Sequence, residues 1–307
     1  MRIAVIGAGG IGAIYGASLA KAGSDVVFVA RGAHVAAMRE NGLRIEGDRG
    51  EIEIRPAQAT DDIASIGVVD YVLFAVKLWD VESAGEQIRP IVGPDTAVIP
   101  LQNGVDAAER LAAILGPKPV MGGTAYVTGS IIAPGIVRQT GTHQRMTFGE
   151  LSGGNSQRGL RLRDLCEAAG FEGVLSADVT VRIWEKFLLL APGSGLCALT
   201  RLPLGKWRTD PDLLSLYETA LRETAAVGHA EGVRFAPDSA EKALATMWSM
   251  PDHLMVSMGN DLLRGNRLEL PWLAGKVVEL GRHHEIPTPA NSFMYTALKP
   301  YTNGAPV

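Results

Sequence analysis

Arg2-Ile-Ala-Val-Ile6-Gly7-Ala8-Gly9-Gly10-Ile11-Gly12 opens the chain and decides its fold class. The apolar run up to Ile6 reads as a buried strand, and a helical pattern runs from the glycines to about Ala22. A second β-branched run, Asp25-Val-Val-Phe-Val-Ala30, follows at once. Strand, glycine turn, helix and strand in that order are the frame in which a G-x-G-x-x-G loop holds a dinucleotide. The three glycines serve different ends. Gly7 permits the tight turn, Gly9 lets backbone approach a pyrophosphate, and Gly12 allows helix and sheet to pack closely. The helix N-terminus adds unpaired N–H donors and a partial positive charge. Gly7, Ala8, Gly9, Gly10, Ile11 and Gly12 are therefore candidate cofactor-binding residues.

The end of the second run selects the dinucleotide. An NAD site places a carboxylate about 20 residues beyond the glycines, on the ribose 2′-hydroxyl. Here the strand ends Phe28-Val-Ala-Arg31-Gly32, with no acid. A guanidinium grips a 2′-phosphate bidentately and gains little from a hydroxyl. NADP(H) is the expected cofactor, with Arg31 at its 2′-phosphate.

Further strands are expected at Tyr71–Val76 and Thr96–Pro100. Continuous apolar strands separated by helices imply a parallel sheet covered on both faces. Residues 120–149 alternate apolar and polar around the turn Ala133-Pro134-Gly135 and read as antiparallel strands closing the domain. A loop at Ser152–Gly159 precedes a helix at Leu160–Ala169. After Ser176 only helical periodicity remains, with segments near 177–191, 211–231, 238–248, 253–264, 271–284 and 290–298. The expectation is an α/β Rossmann-type dinucleotide-binding domain over residues 1–172 and an all-α domain over residues 177–307.

Composition narrows the function. With 29 Lys+Arg against 33 Asp+Glu and a net charge of −4, a general nucleic-acid or anionic-membrane binder is not expected. Glycine stands at 36 of 307 residues, about 12% against a usual 7%. Cys166 and Cys197 build no disulfide framework, and a reducing cytoplasm is expected. The uncharged stretch Ile3–Ala20 imitates a signal peptide, but its five glycines make a poor export core. Phe187–Thr200 is too short to span a bilayer. His143, His229, His253, His283 and His284 show no ligand spacing, so no metal is expected. No Gly-x-Ser-x-Gly elbow occurs.

Five stretches together resemble the ketopantoate reductases (2-dehydropantoate 2-reductases) over essentially the full length. They are Gly7–Gly12 with Arg31; Val76-Lys77-Leu-Trp79; Leu101-Gln-Asn103-Gly104-Val; Trp184-Glu-Lys186; and Ser257-Met258 through Asp261 to Glu269. The resemblance implies a second domain of the 6-phosphogluconate dehydrogenase C-terminal kind, and pantothenate biosynthesis as the setting. It implies that Lys186 is the general acid, giving a proton to the substrate carbonyl oxygen as hydride reaches carbon, with Glu269 as its partner. Hydride addition to a ketone creates an alkoxide, which a positioned cation stabilises and protonates. It further implies that Lys77 and Asn103 touch cofactor and substrate, and that Ser257 meets the substrate carboxylate in a cleft between the domains. Asp261 reads as structural.

The chain departs from the family four and eight residues beyond the lysine. Leu190 and Ser194 stand where the resemblance leads one to expect two substrate-holding asparagines. Ser194 keeps a hydrogen-bonding group and Leu190 does not, which shifts discrimination between substrates. Ketopantoate is the default substrate, and a different 2-oxo acid or ketone is the alternative. A non-catalytic NADP(H)-binding redox sensor is a rival from another class, but it needs neither Lys186 nor Glu269. A homodimer is compatible with the apolar second half.

Overall fold

The computed structural model describes Met1–Pro306. The chain divides into two compact units: Met1–Gln102 with Asp106–Val179, and Asn103–Val105 with Thr180–Val307.

The first unit runs β1 (Arg2–Ile6), α1 (Gly10–Lys21), β2 (Asp25–Val29), α2 (Gly32–Asn41), β3 (Leu43–Gly47), β4 (Ile52–Ile54), β5 (Gln58–Thr60), β6 (Val69–Phe74), α3 (Val81–Gln87), β7 (Val92–Pro100), α4 (Ala107–Leu115), β8 (Met121–Ala133), β9 (Ile136–Glu150), α5 (Gln157–Ala168) and β10 (Glu172–Leu175). Five strands form an all-parallel sheet in the order β5-β2-β1-β6-β7, as the continuous apolar runs require. The strand order reverses between β1 and β6, where open α/β sheets take ligands at the carboxyl ends.

The strands from 120 to 149 do not close that sheet. β8 and β9 form a long antiparallel hairpin in a second sheet, ordered β10-β9-β3-β4 with β8 on β9. Helix α1 packs against strands of both sheets, and every residue from Gly12 to Leu19 is buried. A helix enclosed on all sides is apolar on all sides. This explains the uncharged Ile3–Ala20 stretch as interior, with β1 and α1 at the centre of the unit's core. The expected boundary at residue 172 is corrected: β10 pairs in parallel with β9, so the first unit continues to Val179.

The second unit holds α6 (Val179–Thr200) from Thr180 onward, α7 (Leu204–Trp207), α8 (Pro211–Ala230), α9 (Ser239–Ser249), α10 (Ser257–Leu263), α11 (Ala274–His283) and α12 (Pro289–Leu298). Helix α6 passes through Pro192 to Thr200, not ending at 191. An interior proline disfavours a helix by about 3 kcal/mol, but the last turns bury Leu196, Cys197 and Ala198 completely. The segment expected from 253 becomes helical only at Ser257, and the one expected from 271 is a short 3-10 turn, Leu270–Trp272, before α11. Among the described residues no helix is long and apolar enough to cross a membrane, and no cluster of three or more His, Cys, Asp or Glu is arranged to hold a metal ion.

Candidate functional site

The glycine loop lies between β1 and α1. Gly7 takes φ +89°, and a Cβ there would sit 2.9 Å from the Ala75 backbone. A Cβ at Gly12 would sit 2.3 Å from the Gly7 carbonyl oxygen, so this glycine seats α1 on the turn. Gly9 is different: a Cβ there meets nothing within 4 Å. No packing inside the protein demands that glycine, which fits space kept open for a ligand. The N–H groups of Gly7 and Ala8 both donate to the Val29 carbonyl, at 3.1 and 2.9 Å. Ala8 thus has no amide to offer a phosphate. The amides of Gly10, Ile11 and Gly12, in the first turn of α1, have no intrahelical partner.

The loop opens onto a pocket of about 580 Å³ at the carboxyl ends of β1, β2 and β6. Its lining includes Gly7, Ala8, Gly9, Arg31, Lys77 and Asp80, but not Gly10, Ile11 or Gly12. The volume and the lining fit a dinucleotide's adenosine and pyrophosphate. Arg31, the N-cap residue of α2, is 84% exposed at its side chain, and its Nη2 lies 2.8 Å from Asp80 Oδ2. Lys77 is exposed and follows β6; its ammonium lies 5.6 Å from the centroid of the Trp79 ring.

Two supports of this pocket escape a sequence reading. A Cβ at Gly10 would sit 2.1 Å from the Gly129 carbonyl oxygen, so β8 passes directly over the glycine loop. Ile131, two residues on, lines the pocket. His34 ties the same parts together: Gly135 N–H donates to its Nδ1 at 3.0 Å, and its Nε2–H donates to the Ala8 carbonyl at 2.9 Å. That pairing fixes the neutral ring, and burial pushes its pKa down, partly opposed by the Ala8 bond. Only Gly9 and Gly10 being adjacent small residues hinted at a close neighbour.

The second unit gathers the other group. Asn103 follows Gln102, whose amide donates to the carbonyls of Phe74 and Val76, at 3.0 Å each, and holds the ends of β6 and β7 together. Lys186 Nζ donates to Asn103 Oδ1 at 2.9 Å. Lys186 is half-buried on α6. Burial pushes its ammonium down to about 8, while the charge of Glu269 acts to raise it. Glu269 is buried at the N-cap position of the 3-10 turn Leu270–Trp272. Leu190 and Ser194 repeat at intervals of four from Lys186 and so share its face of α6. Leu190 is half-buried, and the Ser194 hydroxyl is fully buried with no hydrogen-bond partner. Ser257 is exposed in the first turn of α10 and joins none of these residues by a hydrogen bond among the described residues. Asp261 braces the loop after α10, accepting from the Asn266 amide side chain at 3.1 Å.

The chain matches known proteins along its whole length. The family model for ketopantoate reductase PanE/ApbA matches residues 3–153, and that for its C-terminal part matches residues 178–302. A 2-dehydropantoate 2-reductase of Mesorhizobium japonicum is 34% identical over 310 residues, covering 94% of each chain. The crystal structure of a PanE/ApbA family ketopantoate reductase from Ralstonia eutropha JMP134 shares 31% identity at a TM-score of 0.90, over 98% of both chains. D-mandelate dehydrogenase in a ternary structure with NADH and anilino(oxo)acetate has the same fold, with a TM-score of 0.90 at 20% identity over 98% of both chains. The chain belongs to the ketopantoate reductase family of NADP-dependent oxidoreductases.

Proposed function

We propose that this chain reduces 2-dehydropantoate to pantoate with NADPH, in the cytoplasm, as a step of pantothenate biosynthesis. The observation that carries the proposal is the Lys186–Asn103 hydrogen bond of 2.9 Å, on a lysine whose ammonium is pushed down to about 8 and which feels the buried Glu269. The dinucleotide, when bound, supplies the hydride that adds to the carbonyl carbon. The protein's part is to bind, to orient and to move a proton.

The amides of Gly10 to Gly12 and the space over Gly9 hold the pyrophosphate. Arg31 takes the 2′-phosphate, and Lys77 adds positive charge beside it. Lys186 donates a proton from Nζ to the carbonyl oxygen as negative charge develops there, leaving the alcohol and a neutral amine. An ordinary lysine, with a pKa of about 10.4, gives up its proton reluctantly. One near 8 sits close to the working pH, where general acids are most effective. Asn103 fixes the direction of Nζ, Glu269 keeps the lysine charged, and Ser257 and Ser194 supply hydroxyls to the substrate.

A second proposal has its own support. Leu190 shares the Lys186 face of α6 and offers no hydrogen bond, so a more apolar 2-oxo acid or ketone would fill that position better. The test is cofactor oxidation by purified protein with ketopantoate beside a panel of 2-oxo acids of graded side-chain size. Turnover with ketopantoate well above the rest supports the first proposal. Preference for a bulkier apolar acid supports the second. Cofactor binding without turnover on any 2-oxo acid overturns the first proposal and confines the second to ketones.

A further inference from the structure

The end of β2 lacks the carboxylate that would mark an NAD site, but the fold brings one there from another element. Asp80 lies beyond β6, in the 3-10 turn Leu78–Asp80, 49 residues from Arg31 in sequence. Its Oδ2 accepts from Arg31 Nη2 at 2.8 Å, and both residues line the dinucleotide pocket. Asp80 stands at the N-cap position of α3, but its side chain makes no capping hydrogen bond there. Helix capping therefore does not explain the acid. The other acid in the lining, Asp61, is held by Arg39, at 2.6 Å. Asp61 is thus balanced by Arg39, and Asp80 is the lining acid that pairs with Arg31.

We propose that Asp80 is a specificity-determining residue that holds down this enzyme's preference for NADPH over NADH. The proposal rests on Arg31 being the 2′-phosphate residue. A 2′-phosphate must draw Arg31 away from Asp80, and it brings negative charge close to a carboxylate. A free 2′-hydroxyl does neither, and its O–H can donate to the same carboxylate. The ion pair thus opposes one cofactor and accommodates the other.

Equilibrium titration of the full-length protein with NADPH and NADH, and with 2′,5′-ADP and 5′-AMP as fragments, tests this without turnover. Asp80→Asn keeps the shape and removes the charge; Asp80→Ser is a second variant if the amide binds Arg31 in its turn. Both are expected to tighten NADPH and 2′,5′-ADP about five- to tenfold, as expected for charges several ångströms apart in partly exposed surroundings. NADH and 5′-AMP are expected to bind unchanged or more weakly. The gain should shrink as salt rises, because the repulsion removed is electrostatic. Arg31→Ala, measured in parallel, is expected to erase the preference for the 2′-phosphate. If Arg31→Ala does so while both Asp80 variants leave the ratio unmoved, the proposal is overturned and the role of Arg31 survives. If Arg31→Ala leaves the ratio unchanged, the assignment of Arg31 fails and the proposal falls with it.

Discussion

Raising the pH from 7 to 9 should remove most of the reductase activity, and the size of the loss follows from Lys186. With a pKa of about 8, the charged fraction of the lysine is about 0.9 at pH 7, about 0.5 at pH 8 and about 0.1 at pH 9. On the proposed mechanism reduction needs the charged form, because the proton on Nζ is the one delivered to oxygen. The value of kcat/KM for the ketone should therefore fall about tenfold between pH 7 and pH 9, and about tenfold per unit above that. Oxidation of the alcohol needs the neutral amine, so its rate should rise through the same interval. Opposite limbs from one group are a stringent signature, read by following cofactor absorbance in both directions with each substrate kept below its KM. Glu269 acts to raise the lysine's pKa. Glu269→Gln should then move both limbs to lower pH by about 1 unit, the lower end of the effect of a close opposite charge. Lys186→Ala should lower kcat by about 10²–10⁴ and flatten both limbs. A wild-type profile for reduction that stays level to pH 10 would refute the reasoning, since it would leave the proton with another donor or place the lysine at its ordinary value.

The remaining expectations concern the scaffold. Gly9→Ala should fold with unchanged thermal stability yet lose cofactor affinity in titration, because its Cβ meets no protein atom, whereas Gly10→Ala should lose about 1–3 kcal/mol against the Gly129 carbonyl, as denaturant unfolding would show. His34→Ala should cost about 1–3 kcal/mol by leaving the Ala8 carbonyl and the Gly135 amide unpaired, with weakened cofactor binding as a second readout. The folded-state pKa of His34 is lowered, so the unfolded chain binds the extra proton first and stability should decline as pH falls below about 6.5, a slope that His34→Ala reduces in unfolding curves at pH 5 and 7. Glu223 accepts from Ala290 N–H at 2.8 Å and from Asn291 N–H at 3.0 Å, capping α12, and Glu223→Ala should cost about 2–4 kcal/mol in the same assay.

The parallel sheet and its glycine loop were legible because local sequence suffices for them. A buried strand must be apolar at every position, and a tight turn onto a helix must use glycine. Arg31 was legible for the same reason, being a strand-end residue whose place follows from the strand. Strands β3, β4, β5 and β10 went unseen as separate elements. Three to five residues of ordinary composition carry too little periodicity, and β3 and β5 owe their place to partners distant in the chain, β9 and β2. Pro192 misled in the opposite direction, since a local rule about proline yielded to the burial of the following turns.

The site divides along the same line. Asn103 and Lys186 are 83 residues apart, and nothing in either segment alone requires that they meet. Their association became an expectation only through resemblance to other chains. His34 and Asp80 had no such help. Each is hydrogen-bonded to partners brought near by the fold, so each looks in sequence like an ordinary surface residue. The role proposed for Asp80 carries this over to function. The absence of an acid at the end of β2 was a sound local ground for expecting NADP(H), but discrimination depends on the charge that surrounds a ribose in space. An acid delivered from the turn after β6 enters that balance as fully as one on the strand itself, so cofactor preference is a property of the pocket and not of the motif.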